Sequence, residues 1–405
     1  GGGAMIPILR DLQAIPLLIA DDVVVGETTM YCDYIFPDLS YMERWGNPHD
    51  NPQPSTKNSL IRQPIASPIP ETVRVFGEEM PCSMEAVMLA LAEKLGLPGH
   101  GKDGFGPGLP FTRPEEFFLK MVANVAAGDK PGDAVREADD AELSLFRKAR
   151  RHLPRSVFDE AKWVRAAGAA NWRRVVTVLN RGGRFEPFSK AYDGDYMAHK
   201  FGKPFHLYVE RVAKAKNSIT GERFDGLPRY EPPLNSDGAP VEDRDYPFHL
   251  ITFKEASGGH SRTIPTYWSN IALLPENFVL MNKGDARRLG LRDGQVVKLI
   301  SRTNGDGVWP LGDRKSRMVG GKVRAVEGIR PGVLAVSWHY GHWAYGAEDI
   351  VVDGRLVKGD PRRGKGLCAN AVMLLDGYTR TACLTDPIGG SASFFDTRVR
   401  VVKGG

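Results

Sequence analysis

Cysteine is scarce in this 405-residue chain: there are four, Cys32, Cys82, Cys368 and Cys383, and no two stand in a CxxC or similarly close spacing. That excludes an evident iron–sulfur or structural zinc motif built on cysteine. No run of about 18 apolar residues occurs, so no helical membrane span is expected. The spacing G-x-x-x-x-G-K-[ST] is absent, which removes one glycine-loop signature of phosphate binding. Internal repeats and low-complexity tracts are missing too. Charge of one sign barely prevails: 54 Lys and Arg stand against 49 Asp and Glu, a formal net charge of +5. The small basic clusters at 147–152 and 360–365 read as solvated surface, and nucleic acid is not expected as a partner. The opening GGGAMIP lacks the basic and long apolar regions of a signal peptide. The chain starts at Gly1, without an initiator methionine, and enters structure at once. We therefore expect a fragment whose beginning lies upstream.

What is present is ordinary globular material, 42% hydrophobic and 25% charged, ample for a core. The run AIPLLIADDVVV at 14–25 predicts a buried strand of parallel type. Tyr34–Phe36 predicts a short strand before a proline loop. SMEAVMLALAEKLG at 83–96 predicts a helix with Ser83 as N-cap and Gly96 as stop. Its apolar face is Met84, Val87, Met88, Leu91 and Leu95. Residues 98–110 are a Gly/Pro-rich loop. Helical patches fill 114–183, and a loop-rich stretch then runs to Asp245, with a strand-like FHLYV at 205–209. From 246 the character changes. FHLITF, NFVLMN, GQVVKLIS, KVRAV, GVLAVSW and TRVRVVK are short β runs between Gly, Asn and Asp turns, the pattern of a compact barrel.

The candidate functional residues lie in this β-rich stretch. In NKGDARRLGLRDG (282–294), Asn282 and Asp285 stand where strand becomes helix. A carboxylate there caps free backbone N–H groups; it is also placed to accept the N1–H and N2–H edge of a guanine, with Asn bridging ribose or base. ITFKEASGGHSRT (251–263) is a strand entering a loop of small residues. It is either plain surface or a place where Arg262 and the hydroxyls of Ser261 and Thr263 reach phosphate oxygens. WHYGHWAYG (338–346) carries His339 and His342 among aromatics. As a metal pair they lack a third ligand by spacing; packing over a flat ring, or a barrel lip, is the other reading. In LTDPIGGSAS (384–393), Asp386, Gly389, Gly390 and Ser391 form a turn whose glycines permit close backbone approach. No nucleophile is placed.

Taken in order, these stretches resemble the C-terminal part of molybdopterin oxidoreductase catalytic subunits, the dimethyl sulfoxide reductase family. The residues that carry the resemblance are CDYIFPD (32–38) with YMERWG (41–46), FHLITF (248–253), HSRT (260–263), NKGDA (282–286), LGLRDG (289–294) and RPGV (330–333). Tyr246–Gly259, Trp338–Gly346 and Thr385–Lys403 are most similar to the tetrathionate reductase branch, with the respiratory arsenate and polysulfide reductases as neighbours. The resemblance implies an α/β segment followed by a β-rich double-psi barrel of the aspartate-decarboxylase-like kind, the molybdopterin-dinucleotide-binding domain. It divides the chain into 1–100, the tail of the α/β domain; 101–245, a branch-specific helical and loop-rich insertion; and 246–405, the barrel. The implied cofactor is bis-molybdopterin guanine dinucleotide with molybdenum or tungsten. Asn282 and Asp285 would lie at the guanosine end of one half. Thr252, Lys254, His260, Ser261, Arg262 and Thr263 would approach pterin and phosphates, and His339 and His342 would line the pterin or the funnel. Asp386, Gly390 and Ser391 would close over the cofactor. Family members often carry Asn where this chain has Cys383, which weakens one pterin contact. The family's cluster-binding cysteines and molybdenum ligand are not in this chain. No catalytic residue or metal ligand is therefore named, and a 4Fe-4S cluster is expected only upstream.

For the intact enzyme the resemblance implies anaerobic respiratory reduction of a sulfur oxyanion such as tetrathionate, with arsenate or polysulfide as alternatives. It implies partner subunits for iron–sulfur electron transfer and for membrane anchoring, and a site in the periplasm or on the outer face of the cytoplasmic membrane. Two rivals stand beside it. One is a cofactor-binding module or split-enzyme half with no activity of its own. The other is a zinc hydrolase using His339 and His342.

Overall fold

The computed structural model describes residues 11, 13–47, 56–67, 71–198, 206–228, 230–258, 266–312, 315–393 and 395–404. They form two compact units. A barrel unit joins Val24–Tyr34 and the described residues of 1–19 to Phe205–Gly405, and a helical unit joins Ala20–Val23 to Ile35–Pro204. These units cut the chain at other points than the three sequence segments do.

The helical unit contains α1 (Met84–Leu95), α2 (Pro114–Ala127), α3 (Asp140–Arg150), α4 (Glu160–Ala167) and α5 (Trp172–Arg181). Ser83 caps α1 as expected, its Oγ accepting the Ala86 N–H at 3.2 Å, and Gly96 ends it at φ +61°. The expected apolar face does not hold. Met84, Met88, Leu91 and Leu95 are exposed, whereas Ala86, Leu89 and Ala92 are buried, Ala86 and Leu89 against Val75 and Met80 of a hairpin. The helix turns Ala86 and Leu89, not the methionine-rich stripe, to the hairpin. The last helical patch breaks at Gly168, φ +85°, into α4 and α5. Leu119, Val122, Phe146, Trp163, Val175 and Val176 are fully buried at the centre of this unit. The strand expected over 14–25 shrinks to Ile19–Asp22, partly exposed, because the paired aspartates at its end cannot enter an apolar core.

In the barrel unit all six β runs become strands: β1 (Phe248–Phe253), β2 (Phe278–Asn282), β3 (Val296–Ser301), β4 (Gly320–Val326), β5 (Val333–Ser337) and β6 (Arg398–Lys403). They close into one barrel in the order β2-β4-β3-β6-β1-β5, with β5 pairing back on β2. The β1–β5 and β2–β4 pairs are parallel, and the others antiparallel. Alternation sends Phe248 and Leu250 of β1 inward, where they meet Val279, Met281, Leu299, Leu334, Val336 and Val399, all buried. The turn before β3 needs Gly294 at φ +77°, and the Asp293 carboxylate accepts the Ala325 N–H at 2.8 Å, tying that turn to β4. Two short α-helices are described in this unit, α6 (Glu210–Lys214) and α7 (Lys283–Arg288). The strand-like piece expected at 205–209 is not a strand over His206–Val209; it leads straight into α6. Among the described residues no helix is long and apolar enough to cross a membrane.

Candidate functional site

The carboxyl ends of the parallel strands β1 and β5 gather the first group of candidates. Thr252 pairs in register with Val336, and Phe253 with Ser337. Thr252 is 8% exposed and Ser337 2%, yet neither hydroxyl has a hydrogen-bond partner among the described residues. A buried hydroxyl left so costs about 1–3 kcal/mol, so each marks a place where polar contact is wanted. Lys254 follows β1 directly and holds its Nζ 5.9 Å from the centroid of the Trp338 ring. The loop after β5, Trp338–Gly346, is pinned from several sides. Asn277 Nδ2 donates to the Ser337 and Leu367 carbonyls at 2.7 and 2.9 Å. Arg317 Nη1 donates to the carbonyls of Gly341, His342 and Gly364. Within this loop His339 sits at φ +75°, and the buried His342 bonds Glu27 through Nδ1 at 2.8 Å. His260, Ser261, Arg262 and Thr263 lie outside the described residues.

Asn282 and Asp285 occupy the opposite end of β5, since β2 runs antiparallel to it. Asn282 is the N-cap of α7: its Oδ1 accepts the Gly284 N–H at 2.8 Å, and its Nδ2 donates to the Ile329 carbonyl at 2.8 Å. Asp285, 1% exposed, does not cap its own helix. Its Oδ2 accepts the Gly332 N–H at 2.7 Å, and its Oδ1 pairs with Arg288 Nη2 at 2.8 Å. The capping task thus falls to Asn282, and Asp285 ties α7 to the start of β5. The Arg288 side chain is 65% exposed but the Asp285 side chain only 1%, so a ligand that displaces Arg288 must itself meet that buried charge.

Asp386, Gly390 and Ser391 form a third group, exposed or partly so, on the approach to β6. The Asp386 carboxylate accepts the N–H groups of Gly389 at 2.7 Å, Ser391 at 2.8 Å and Ile388 at 3.1 Å, and Gly390 makes the turn at φ +70°. Those N–H bonds hold the carboxyl below the ordinary carboxylate range.

The structure therefore brings Thr252, Lys254, His339 and His342 to one end of the β1–β5 pair, and Asn282 with Asp285 to the other. Two residues escaped sequence reasoning. Ser337 could have been suspected, since VLAVS is a strand buried on both faces that ends on a hydroxyl. Glu27 could not: it pairs with a histidine 315 positions away. Among the described residues no group of three or more His, Cys, Asp or Glu side chains is placed to hold a metal ion.

Comparison with known proteins gives this arrangement its family. Residues 248–384 match the molydopterin dinucleotide binding domain. A selenate reductase chain of Mesobacillus selenatarsenatis is 47% identical over 403 residues, covering 100% of this chain and 38% of that protein. A tetrathionate reductase chain of Salmonella typhimurium is 31% identical, covering 95% of this chain and 36% of its own length. The molybdopterin-containing chain of the arsenate respiratory reductase of a Shewanella species is 24% identical, covering 94% and 40%. The chain thus spans well under half the length of the curated relatives it matches. Residues 248–384 are a molydopterin dinucleotide-binding domain, and the chain is homologous to the C-terminal part of molybdopterin oxidoreductase catalytic subunits.

Proposed function

We propose that this chain holds the cofactor in a molybdenum oxidoreductase that reduces an inorganic oxyanion, selenate in the first place. The observation that carries the reading is the 47% identity to a selenate reductase chain over 403 residues. Tetrathionate is the second reading, supported by 31% identity to a tetrathionate reductase chain over 397 residues.

The residues present fit a molybdopterin guanine dinucleotide. A dinucleotide has two chemically different heads, and the candidates beside β5 fall into two groups at its two ends, five residues or about 16 Å of strand apart. The Thr252 and Ser337 hydroxyls, buried and without a partner among the described residues, suit the polar edge of a pterin. Asp285 suits a guanine edge once Arg288 gives way, with Asn282 holding α7 in place beside it. When bound, the molybdenum centre supplies the two-electron chemistry. The chain's own work is to orient the heads and to keep the approach polar and shaped. The two parallel pairs in one closed six-strand barrel support the double-psi connectivity. Electron-transfer partners, with iron–sulfur and membrane-anchor roles, belong to the same proposal, supported by relatives that are themselves subunits. So does a location on the outer side of the cytoplasmic membrane, as the family resemblance implies.

The test is to purify the intact enzyme without oxygen, determine molybdenum and acid-released guanine nucleotide per chain, and assay selenate, tetrathionate and arsenate with a reduced viologen. Bound metal with selenate turning over fastest is expected. Bound cofactor without turnover of any of the three would leave only the module without activity. Absence of the nucleotide would sink the reading altogether.

A further inference from the structure

The loop Trp338–Gly346 is held in a shape it would not adopt unaided. His339 and Tyr345, neither of them glycine, stand at φ +75° and +57°. Left-handed residues of this kind are strained and persist only where the surroundings over-determine them. Here the surroundings do. Arg317 grips the Gly341 and His342 carbonyls from one side. From the other comes the segment 25–27: the Val25 carbonyl accepts the Tyr345 N–H at 2.9 Å, and Glu27 Oε1 accepts both His342 Nδ1 at 2.8 Å and the Trp343 N–H at 3.1 Å. Gly26, between them, has no room for a side chain without pressing on the Tyr345 ring, 3.1 Å from where a Cβ would sit. Tyr345 in turn sets its ring edge to face with the imidazole, 5.1 Å between centroids at 84°.

These contacts decide which imidazole nitrogen is committed. An ionised carboxylate only accepts, so Nδ1 carries the proton that bonds Glu27. Nε2 is left over, with no hydrogen-bond partner among the described residues. A carboxylate behind an imidazole fixes its tautomer and orientation and balances the charge the ring takes when its far nitrogen is protonated. We propose that Glu27 is a positioning residue for His342, and that His342 is an anion-binding group: in its imidazolium form, with Nδ1–H held by Glu27, Nε2–H donates to an oxyanion. The inference rests on the oxidoreductase reading above and deepens it. The shared chemistry is a tetrahedral oxyanion, which comes either from the substrate or from the cofactor's phosphates.

The experiment uses the intact holoenzyme with His342→Gln and Glu27→Gln, the second keeping an acceptor for the Trp343 N–H so that the loop survives. Three quantities are read: molybdenum and guanine nucleotide per chain, calorimetric affinity for inorganic sulfate as a non-reducible probe, and the separate kcat and KM for selenate. If the anion is substrate, both variants keep wild-type cofactor content, bind sulfate about 10–100-fold more weakly and show the loss in KM. If it is the cofactor's phosphate, cofactor content falls while sulfate affinity per loaded enzyme stays. Wild-type values throughout would overturn the proposal. So would cofactor content and sulfate affinity lost together with a collapsed melting temperature, which marks a purely structural pair. A wild-type enzyme without molybdenum or nucleotide would instead defeat the underlying oxidoreductase reading.

Discussion

In the helical unit the Arg113 guanidinium, with 5% of its side chain exposed, is met on every side: Nε by Glu115, Nη1 by the Glu79 carbonyl at 2.6 Å, Nη2 by the Ser156 carbonyl at 2.7 Å. In the barrel unit the hydroxyls of Thr252 and Ser337 are comparably buried and met by nothing among the described residues. The first arrangement is complete in itself. It orders Pro114 at the start of α2 and asks for no visitor. The second keeps two polar atoms unmet at the end of a parallel strand pair, where we propose that the cofactor is met. Burial alone does not distinguish these two arrangements; what distinguishes them is whether the buried polar atoms are satisfied.

The largest break in that comparison should come from Arg113→Met. It strips the cation from a buried carboxylate and frees two carbonyls, a loss of about 3–5 kcal/mol. Urea unfolding followed by tryptophan fluorescence reads it, since Trp45 and Trp163 lie in the same unit. Adding Glu115→Leu should recover much of the loss, because no charge is then left unpaired. In the barrel the expected sign reverses. Thr252→Val removes an unmet hydroxyl at nearly constant volume and should raise the stability of cofactor-free protein by about 1 kcal/mol, while lowering cofactor retention in the intact enzyme. A destabilised cofactor-free variant would mean that the hydroxyl has a protein partner after all.

A third, smaller effect lies in the pH dependence of the helical unit. Burial, and then the neighbouring Asp38 charge, raise the Asp21 carboxyl from its ordinary 3.8 to about 6, with Arg44 opposing and Glu85 adding. A raised folded value means that the protonated form favours folding. The contribution is full below 3.8 and is lost as the pH climbs through about 6. Asp21→Asn should flatten that part of the stability curve and be the more stable protein above about pH 6. Parallel curves for the two proteins between about pH 4 and 7 would contradict it.

What was legible in the sequence was what is local. Six β runs separated by Gly, Asn and Asp turns became six barrel strands, and Ser83 and Gly96 marked the ends of α1 because caps depend on neighbours in the chain. The face of α1 was not legible. Periodicity selects the bulkiest stripe, but packing chose Ala86, Leu89 and Ala92. The barrel's closure by β5 on β2 is a non-local pairing that no window reveals. The site divides likewise. Asn282 and Asp285 could be singled out from a strand meeting a helix, but not that Asp285 would turn to Gly332. Glu27 and His342 meet only because the fold brings residues 315 apart together.

The smallest prediction concerns the loop that binds itself. Bonds from the Gly389 and Ser391 N–H groups depress the Asp386 carboxyl, helped by Ile388 and opposed by slight burial. A depressed folded value reverses the sign found for Asp21. The loop's order is present above the ordinary carboxylate value, about 3.9, and is lost as the pH falls through the lower folded one. The amide resonances of Ile388, Gly389 and Ser391 should therefore move together in an acid titration, with a midpoint below that of a free aspartate. A midpoint at or above it would mean that the three N–H bonds do not hold in solution. Because the loop is exposed, Asp386→Asn should change barrel stability by no more than about 0.5 kcal/mol. The contrast with Thr252 then becomes sharp: a carboxylate satisfied by its own loop contributes local order, whereas an unmet hydroxyl in the barrel contributes affinity for whatever meets it.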